Sequence, residues 1–398
     1  MKKLAAVLFV LVGCGDNIQG STEVGPDAGT TAPWKEAVPS SVPQLVDLGG
    51  GVLAQPKIQP IFFANDPLQA QVEDFLAKIA VSQYWTTAAS EYGVGAPVVL
   101  PTIIVHDAPP ATDDVLPQWM TQHVPTADPN TIYSLFLGDG VVLGGQQGNS
   151  CEAYGAFHDE GVDSHGNSLV YALMPRCEPS PQFDHAQTKL DELTISFSHE
   201  LLEAVTDPRV ETTPAFGDVD DDHAILAIMP GAEVGDLCEY LDTAYIRDPS
   251  GYMVQRTWSN AAAKAGHDPC VPAPATTYIS AAPVFTDPVS IDGFTGPRTT
   301  KALKLAVGAS KTIEVDVFSD TPTPDAFDIQ VDDSAALSGG PAELTFTWDK
   351  SSGKNGDKLH LTVTRATAPA QGSPGSIFTL STKTAAGTVS QWIGYVAQ

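Results

Sequence analysis

The chain has 398 residues, 42% of them hydrophobic, and carries 20 Lys and Arg against 48 Asp and Glu, for a formal charge of −28. That length and apolar content can bury substantial cores and predict two domains. The charge argues against nucleic acid and against anionic head groups as partners, and suits solubility, cationic or peptide substrates and divalent cations.

In chain order, Lys2 and Lys3 precede an apolar run from Leu4 to Val12, too short to span a bilayer as a mature helix. The run ends Leu11-Val12-Gly13-Cys14, which resembles the lipobox of a bacterial lipoprotein signal. The resemblance implies removal of residues 1–13 and lipid attachment at Cys14, giving an exported lipoprotein of the outer membrane or cell surface that touches the membrane through its anchor only. Residues 14–45 are rich in Gly, Pro, Ser, Thr and acidic side chains and predict a flexible tether.

A mixed domain is expected over 46–272. Ile58–Phe63, Thr102–His106, Thr131–Leu137 and Leu169–Met174 have strand character, and Asp66-Pro67 predicts the start of a helix with Val72, Phe75, Leu76 and Ile79 at core spacing. A long helix follows from about His185 to Val205. Leu190, Leu193, Phe197, Leu201 and Ala204 make its apolar stripe, and Ile195, Leu202 and Val205 widen it. Glu192, Ser196, His199, Glu200 and Glu203 fill the narrow polar sector left over, and Asp207-Pro208 ends the helix. After a linker over 273–280, residues 281–398 predict an all-β sandwich of immunoglobulin-like type. Lys311–Val317, Leu344–Trp348, Lys358–Val363 and Ile377–Leu380 alternate there at period two. The acidity is concentrated before the sandwich, with nine basic and 36 acidic residues over 14–272 against nine and 12 from 273 onward.

The chemistry centres on Ser198-His199-Glu200-Leu201-Leu202-Glu203. His199 and Glu203 share a helix face at i and i+4, where an imidazole and a carboxylate can hold one zinc ion, and Glu200 takes the place that the general base occupies in the His-Glu-x-x-His metalloprotease helix. A catalytic zinc needs a third protein ligand. Asp236 is ranked first for it, ahead of His158, Glu233 and Asp207, with His158 also a candidate oxyanion donor. Three of them have an ordinary structural alternative: a turn or cap for Asp236, a hydrogen-bonded core histidine for His158, a helix-ending residue for Asp207. Asp218, Asp220, Asp221, Asp222 and His223 form a candidate calcium loop, weighed against a solvated acidic loop because the spaced ligand pattern and its closing glutamate are missing. Besides Cys14 there are Cys151, Cys177, Cys238 and Cys270, which allow three connectivities. Cys151 with Cys177 and Cys238 with Cys270 are favoured because each closes a short loop flanking the helix. No GxSxG elbow or glycine-rich phosphate loop occurs, and the side chains of Ser198 and His199 diverge on a helix, which rules out a serine dyad between them.

Five separated blocks carry a family resemblance: Gly50-Gly51-Val52-Leu53 with Ile58–Phe63; Cys151 with Gly155-Ala156-Phe157-His158; Ser198–Pro208; Glu233–Glu239; and Val254–Asn260. In that order they resemble the EXORDIUM or phosphate-induced protein family, over most of 46–272. The resemblance implies an extracellular domain whose helix is similar to that of zincin metalloproteases. The lipobox, the acidic tether and the C-terminal sandwich depart from the plant members. The expectation is therefore an α+β chain: a zincin-like mixed sheet with an active-site helix, then a separate sandwich. Its function is expected to be zinc-dependent hydrolysis of a peptide, or display of a catalytically silent cleft to a cell-surface polysaccharide or protein.

Overall fold

The runs preceding the long helix pair into one sheet in the computed structural model, which describes residues 34–398 apart from residues 146, 147, 229, 230, 242, 294, 295, 371, 372, 374, 385 and 386. Cys14 and the signal segment lie outside the described residues. In chain order the strands are β1 (Lys57–Phe63), β2 (Val98–Val99), β3 (Ile103–Val105), β4 (Thr131–Phe136), β5 (Phe157–Val162) and β6 (Ser168–Met174). They lie in the order β2-β1-β4-β6-β5, with β3 also on β1. Every pair is parallel except β5 with β6, so an antiparallel edge strand closes the sheet. Pro101 separates β2 from β3, since proline has no N–H to give a ladder.

Helices cover both faces, which is why β4 and β6 are buried almost end to end. On one face α1 (Gln69–Ile79), α2 (Gln83–Ala89) and α4 (Lys189–Thr206) pack on Ile58, Phe62, Ile132, Phe136, Val170 and Ala172. On the other, α3 (Leu116–His123) supplies Leu116, Trp119 and Met120 against Ile61, Leu135, Leu169 and Leu173. Two helix starts differ from the sequence expectation. α1 begins at Gln69 because the Asp66 carboxylate is drawn into a buried ion pair with Arg176 at 2.9 Å and accepts the Leu68 N–H, so it caps a turn ahead of the helix. α4 begins at Lys189 because Thr188 is its N-cap, accepting the Asp191 N–H at 3.0 Å. It ends at Asp207 as the Asp-Pro pair requires.

Short elements follow α4: α5 (Asp236–Glu239), β7 (Tyr245–Arg247), β8 (Met253–Gln255), β9 (Thr257–Trp258), α6 (Asn260–Ala265) and β10 (Cys270–Val271). The remainder is a sandwich. One sheet runs β11 (Ile279–Val284), β14 (Ser310–Ser319), β18 (Lys358–Arg365), β16 (Leu344–Trp348), and the other runs β12 (Asp287–Gly293), β13 (Gly296–Lys304), β20 (Gly387–Ala397), β19 (Gly375–Thr384), β15 (Phe327–Asp333), β17 (Ser352–Gly353). Side chains of both sheets share one core, including Val315, Leu361, Phe378 and Val396. The sheets are antiparallel except where Leu303 and Lys304 of β13 lie parallel to Val396 and Ala397 of β20. The chain is thus mixed α+β, mostly strand, with a β-sandwich at its C-terminal end.

Two expected boundaries shift. Residues 36–45, assigned to the tether, are held: Ser40 bonds Asp316 of the sandwich, the Gln44 N–H donates to Asp220, and Leu45 bridges Val219. The linker shortens as well, since β11 begins at Ile279. Residues 36–398 form one compact unit.

The disulfides are Cys151–Cys177 and Cys238–Cys270, the pairing favoured on loop length, and they fit an oxidising, extracytoplasmic compartment. Among the described residues no helix is long and apolar enough to cross a membrane. Cys238 is fully buried in the first core. Replacing Cys238 and Cys270 together by serine is expected to cost about 2–4 kcal/mol in urea denaturation, and a midpoint equal to the parent's would count against it.

Candidate functional site

Helix α4 is buried on nearly all sides and turns its polar sector into a cleft of about 800 Å³. The periodicity that buries Phe197, Leu201 and Ala204 leaves His199, Glu200 and Glu203 on the cleft wall. Edge strand β5 brings His158 to the same place. His158 pairs with Ala172 across the ladder, Ala172 belongs to the α4 face, and side chains opposite each other share a face. The segment around α5 closes the far side with Glu233, Asp236 and Glu239.

His199 Nε2 lies 2.9 Å from Glu203 Oε2 and 3.8 Å from Asp236 Oδ1, and one ligand atom from each residue falls within 4.8 Å of the others. His158, Glu200 and Glu203 form a second such trio that shares Glu203. His158 Nδ1 is 3.2 Å from Glu200 Oε2, and its Nε2 faces the Asp207 carbonyl at 3.3 Å and Glu233 Oε1 at 3.4 Å. That Glu233 oxygen is buried without a hydrogen bond among the described residues.

Gln255, at the end of β8, sets the tautomer of His199. Its amide nitrogen donates to the Gly235 carbonyl at 2.8 Å, so its oxygen, 3.0 Å away, accepts from His199 Nδ1–H and leaves Nε2 facing Glu203 and Asp236, as the nitrogen on which a metal would replace the proton. The Gln255 N–H itself donates to Ser198 Oγ. Glu203 is fixed in turn. The N–H groups of Gly235 and Asp236 donate to its Oε1 at 3.1 and 3.2 Å, leaving Oε2 to face the histidines. Only glycine fits at 235, where a Cβ would stand 2.7 Å from His199 Nδ1 and 2.8 Å from Glu203 Oε1.

The electrostatics call for positive charge. Burial drives both histidines down, yet the charge of Glu233 beside His158 and that of Glu203 beside His199 overcome it, so both lie well above the usual imidazole range. Burial raises Glu203 well above its usual value and raises Asp236 to about 7. The described lining of the cleft includes nine Asp and Glu and no Lys or Arg. One imidazole nitrogen and two carboxylate oxygens, braced by Gln255, Gly235 and Asp236, suit zinc in ligand type and number.

Of the residues singled out in the sequence, His158, His199, Glu200, Glu203, Glu233 and Asp236 converge. Asp207 does not, because its carboxylate turns away to accept the Ala215 N–H at 2.6 Å. His158 has both ring nitrogens against protein oxygens, an arrangement for holding Glu200 rather than meeting an oxyanion. The acidic run serves another purpose. Asp218 and Asp221 meet Arg298, Asp222 meets Lys301 and Asp220 meets His223, and among the described residues the run brings no three ligand atoms together for one ion. Gln255 and Gly235 were not singled out as site residues by sequence reasoning.

No family model matches the chain, and no curated protein matches it. Among solved structures, domains 4 and 5 of the S-layer protein SbsC align at 13% identity over 29% of this chain and 52% of theirs, with a TM-score of 0.18. A chimeric titin Z1Z2 carrying an exogenous KLER peptide from decorin aligns at 14% identity over 30% of this chain and 94% of its own, with a TM-score of 0.17. The chain spans about half the length of the first and 18% of a longer SbsC fragment, and likenesses this low carry no argument about fold or function.

Proposed function

We propose that the chain is an exported, lipid-anchored zinc-dependent hydrolase of peptide bonds, with a zincin-like domain of EXORDIUM type and an immunoglobulin-like sandwich. The observation that carries this reading is the convergence of His199 Nε2, Glu203 and Asp236 within reach of one ion, with Glu200 beside them in the same cleft. His199, Glu203 and Asp236 hold the zinc, whose chemistry is to polarise a carbonyl and acidify water. Gln255 keeps the proton on His199 Nδ1, so that Nε2 is free to ligate. The two N–H groups on Glu203 Oε1 keep Oε2 turned to His199. Glu200 takes the proton from water attacking the peptide carbonyl and passes it to the leaving nitrogen. His158 positions Glu200 through Nδ1. The oxidising compartment implied by the disulfides agrees with export, and the anchor at Cys14 rests on the lipobox resemblance alone.

Metal analysis of the full chain, purified without added metal, tests the reading. About one zinc per chain is expected, lost in His199→Ala and in Glu203→Ala. A folded parent without zinc, or variants that keep it, would replace the hydrolase with a catalytically silent binding module.

A further inference from the structure

Part of the cleft wall serves neither the ligand cluster nor its bracing. Phe183 and Tyr240 are 47% and 54% exposed there, large exposure for aromatic rings in a concave surface. Their centroids stand 6.4 Å apart, and Phe183 lies tilted at 5.8 Å from Tyr245, whose hydroxyl donates to the Glu239 carbonyl at 2.6 Å. Three carboxylates border these rings. Asp184 and Glu192 are hydrogen-bonded to each other and share one proton, so the pair carries a single negative charge, and one oxygen of each is anchored by a backbone N–H, from Ala186 to Asp184 at 2.9 Å and from Ser180 to Glu192 at 3.1 Å. The charges of Glu239, Asp184 and Glu192 all act on Tyr245, and Glu239 also feels His199 and Glu200, so the group adjoins the ligand cluster.

Rings alone would suit any apolar group, and carboxylates alone are a solvated patch. Together they match a long apolar stem that ends in a cation. The stem lies along the rings, the cation meets ring faces and fixed carboxylates, and no lysine or arginine among the described lining residues competes for them. We propose that Phe183, Tyr240 and Tyr245 with Asp184, Glu192 and Glu239 form a subsite for the lysine or arginine side chain of a polypeptide bound in the cleft. Calling that polypeptide a substrate rests on the hydrolase reading above; its binding does not.

Fluorescence anisotropy with the full-length chain tests the subsite, using two labelled, end-blocked pentapeptides that carry between glycines either lysine or norleucine, which keeps the four-carbon stem and lacks the ammonium group. The lysine peptide is expected to bind about tenfold tighter. Phe183→Ala, at an exposed ring, and the double change Asp184→Asn with Glu192→Gln, which removes the pair's charge without changing its size, should each reduce that preference about threefold or more. His199→Ala should keep it. Equal affinity for the two peptides, or a preference unchanged in both Phe183→Ala and the Asp184→Asn, Glu192→Gln double variant, overturns the subsite. A preference that persists in a parent without metal sustains the subsite while the hydrolase reading fails, and a zinc-loaded parent without preference does the reverse.

Discussion

Glu200→Gln should lower the hydrolysis of any peptide that the parent cleaves by about 10²- to 10⁴-fold while the variant keeps its metal. Glutamine preserves the size of the side chain and one acceptor oxygen, so His158 Nδ1 retains a partner at the position it now holds 3.2 Å away. What is lost is the capacity to take a proton. Because Glu200 belongs to the reacting step and not to the His199, Glu203 and Asp236 trio, kcat should fall with KM little changed. Hydrolysis at the parent's rate with metal retained would remove Glu200 from the chemistry, and loss of the metal would move it into the ligand set.

The largest stability effect is expected at Arg256, one residue beyond the glutamine that orients His199. Its guanidinium is fully buried, lies 2.7 Å from Asp268, and donates to the carbonyls of Thr243 and Cys270. Burial raises Asp268 and the arginine charge opposes that rise, so the pair is mutually dependent. Arg256→Ala removes the cation and leaves a buried carboxylate and two carbonyls without their donor, at an expected cost of about 3–5 kcal/mol in urea denaturation at neutral pH. A loss under about 1 kcal/mol would show that water enters the site and replaces the guanidinium.

Helix α4 was legible because its apolar stripe keeps one period and Asp207-Pro208 marks its end, whereas the cap at Thr188 that sets its start was not read. The strand runs of the first sheet were legible as apolar segments, and their order was not, since pairing is a long-range choice. His199, Glu200 and Glu203 followed from helical spacing. Gln255 did not, because it acts from a three-residue strand and meets His199 only through folding. Gly235 gave no pattern, since its requirement lies in the space two other side chains leave. In the sandwich, β11 and β12 were hidden by Pro283 and Pro288, which interrupt the strand signature. The acidic run was read by composition, whereas its partners Arg298 and Lys301 lie nearly eighty residues further on.

Trp392 belongs to a strand of the sandwich, yet it packs against the core of the first sheet as well as that of the sandwich, and meets Trp258 edge to face at 6.3 Å. Ile225 of the first lobe likewise clusters with Val289, Ile291 and Tyr395 of the sandwich. Exposed ion pairs such as Lys301 with Asp222 contribute little, so the join is chiefly hydrophobic and resists salt. The two lobes therefore melt as neighbours that share side chains. Severing the chain near residue 272 would turn an interior into a greasy, water-facing wall, so the shortest piece that keeps the cleft in its native surroundings is the one that also keeps the sandwich.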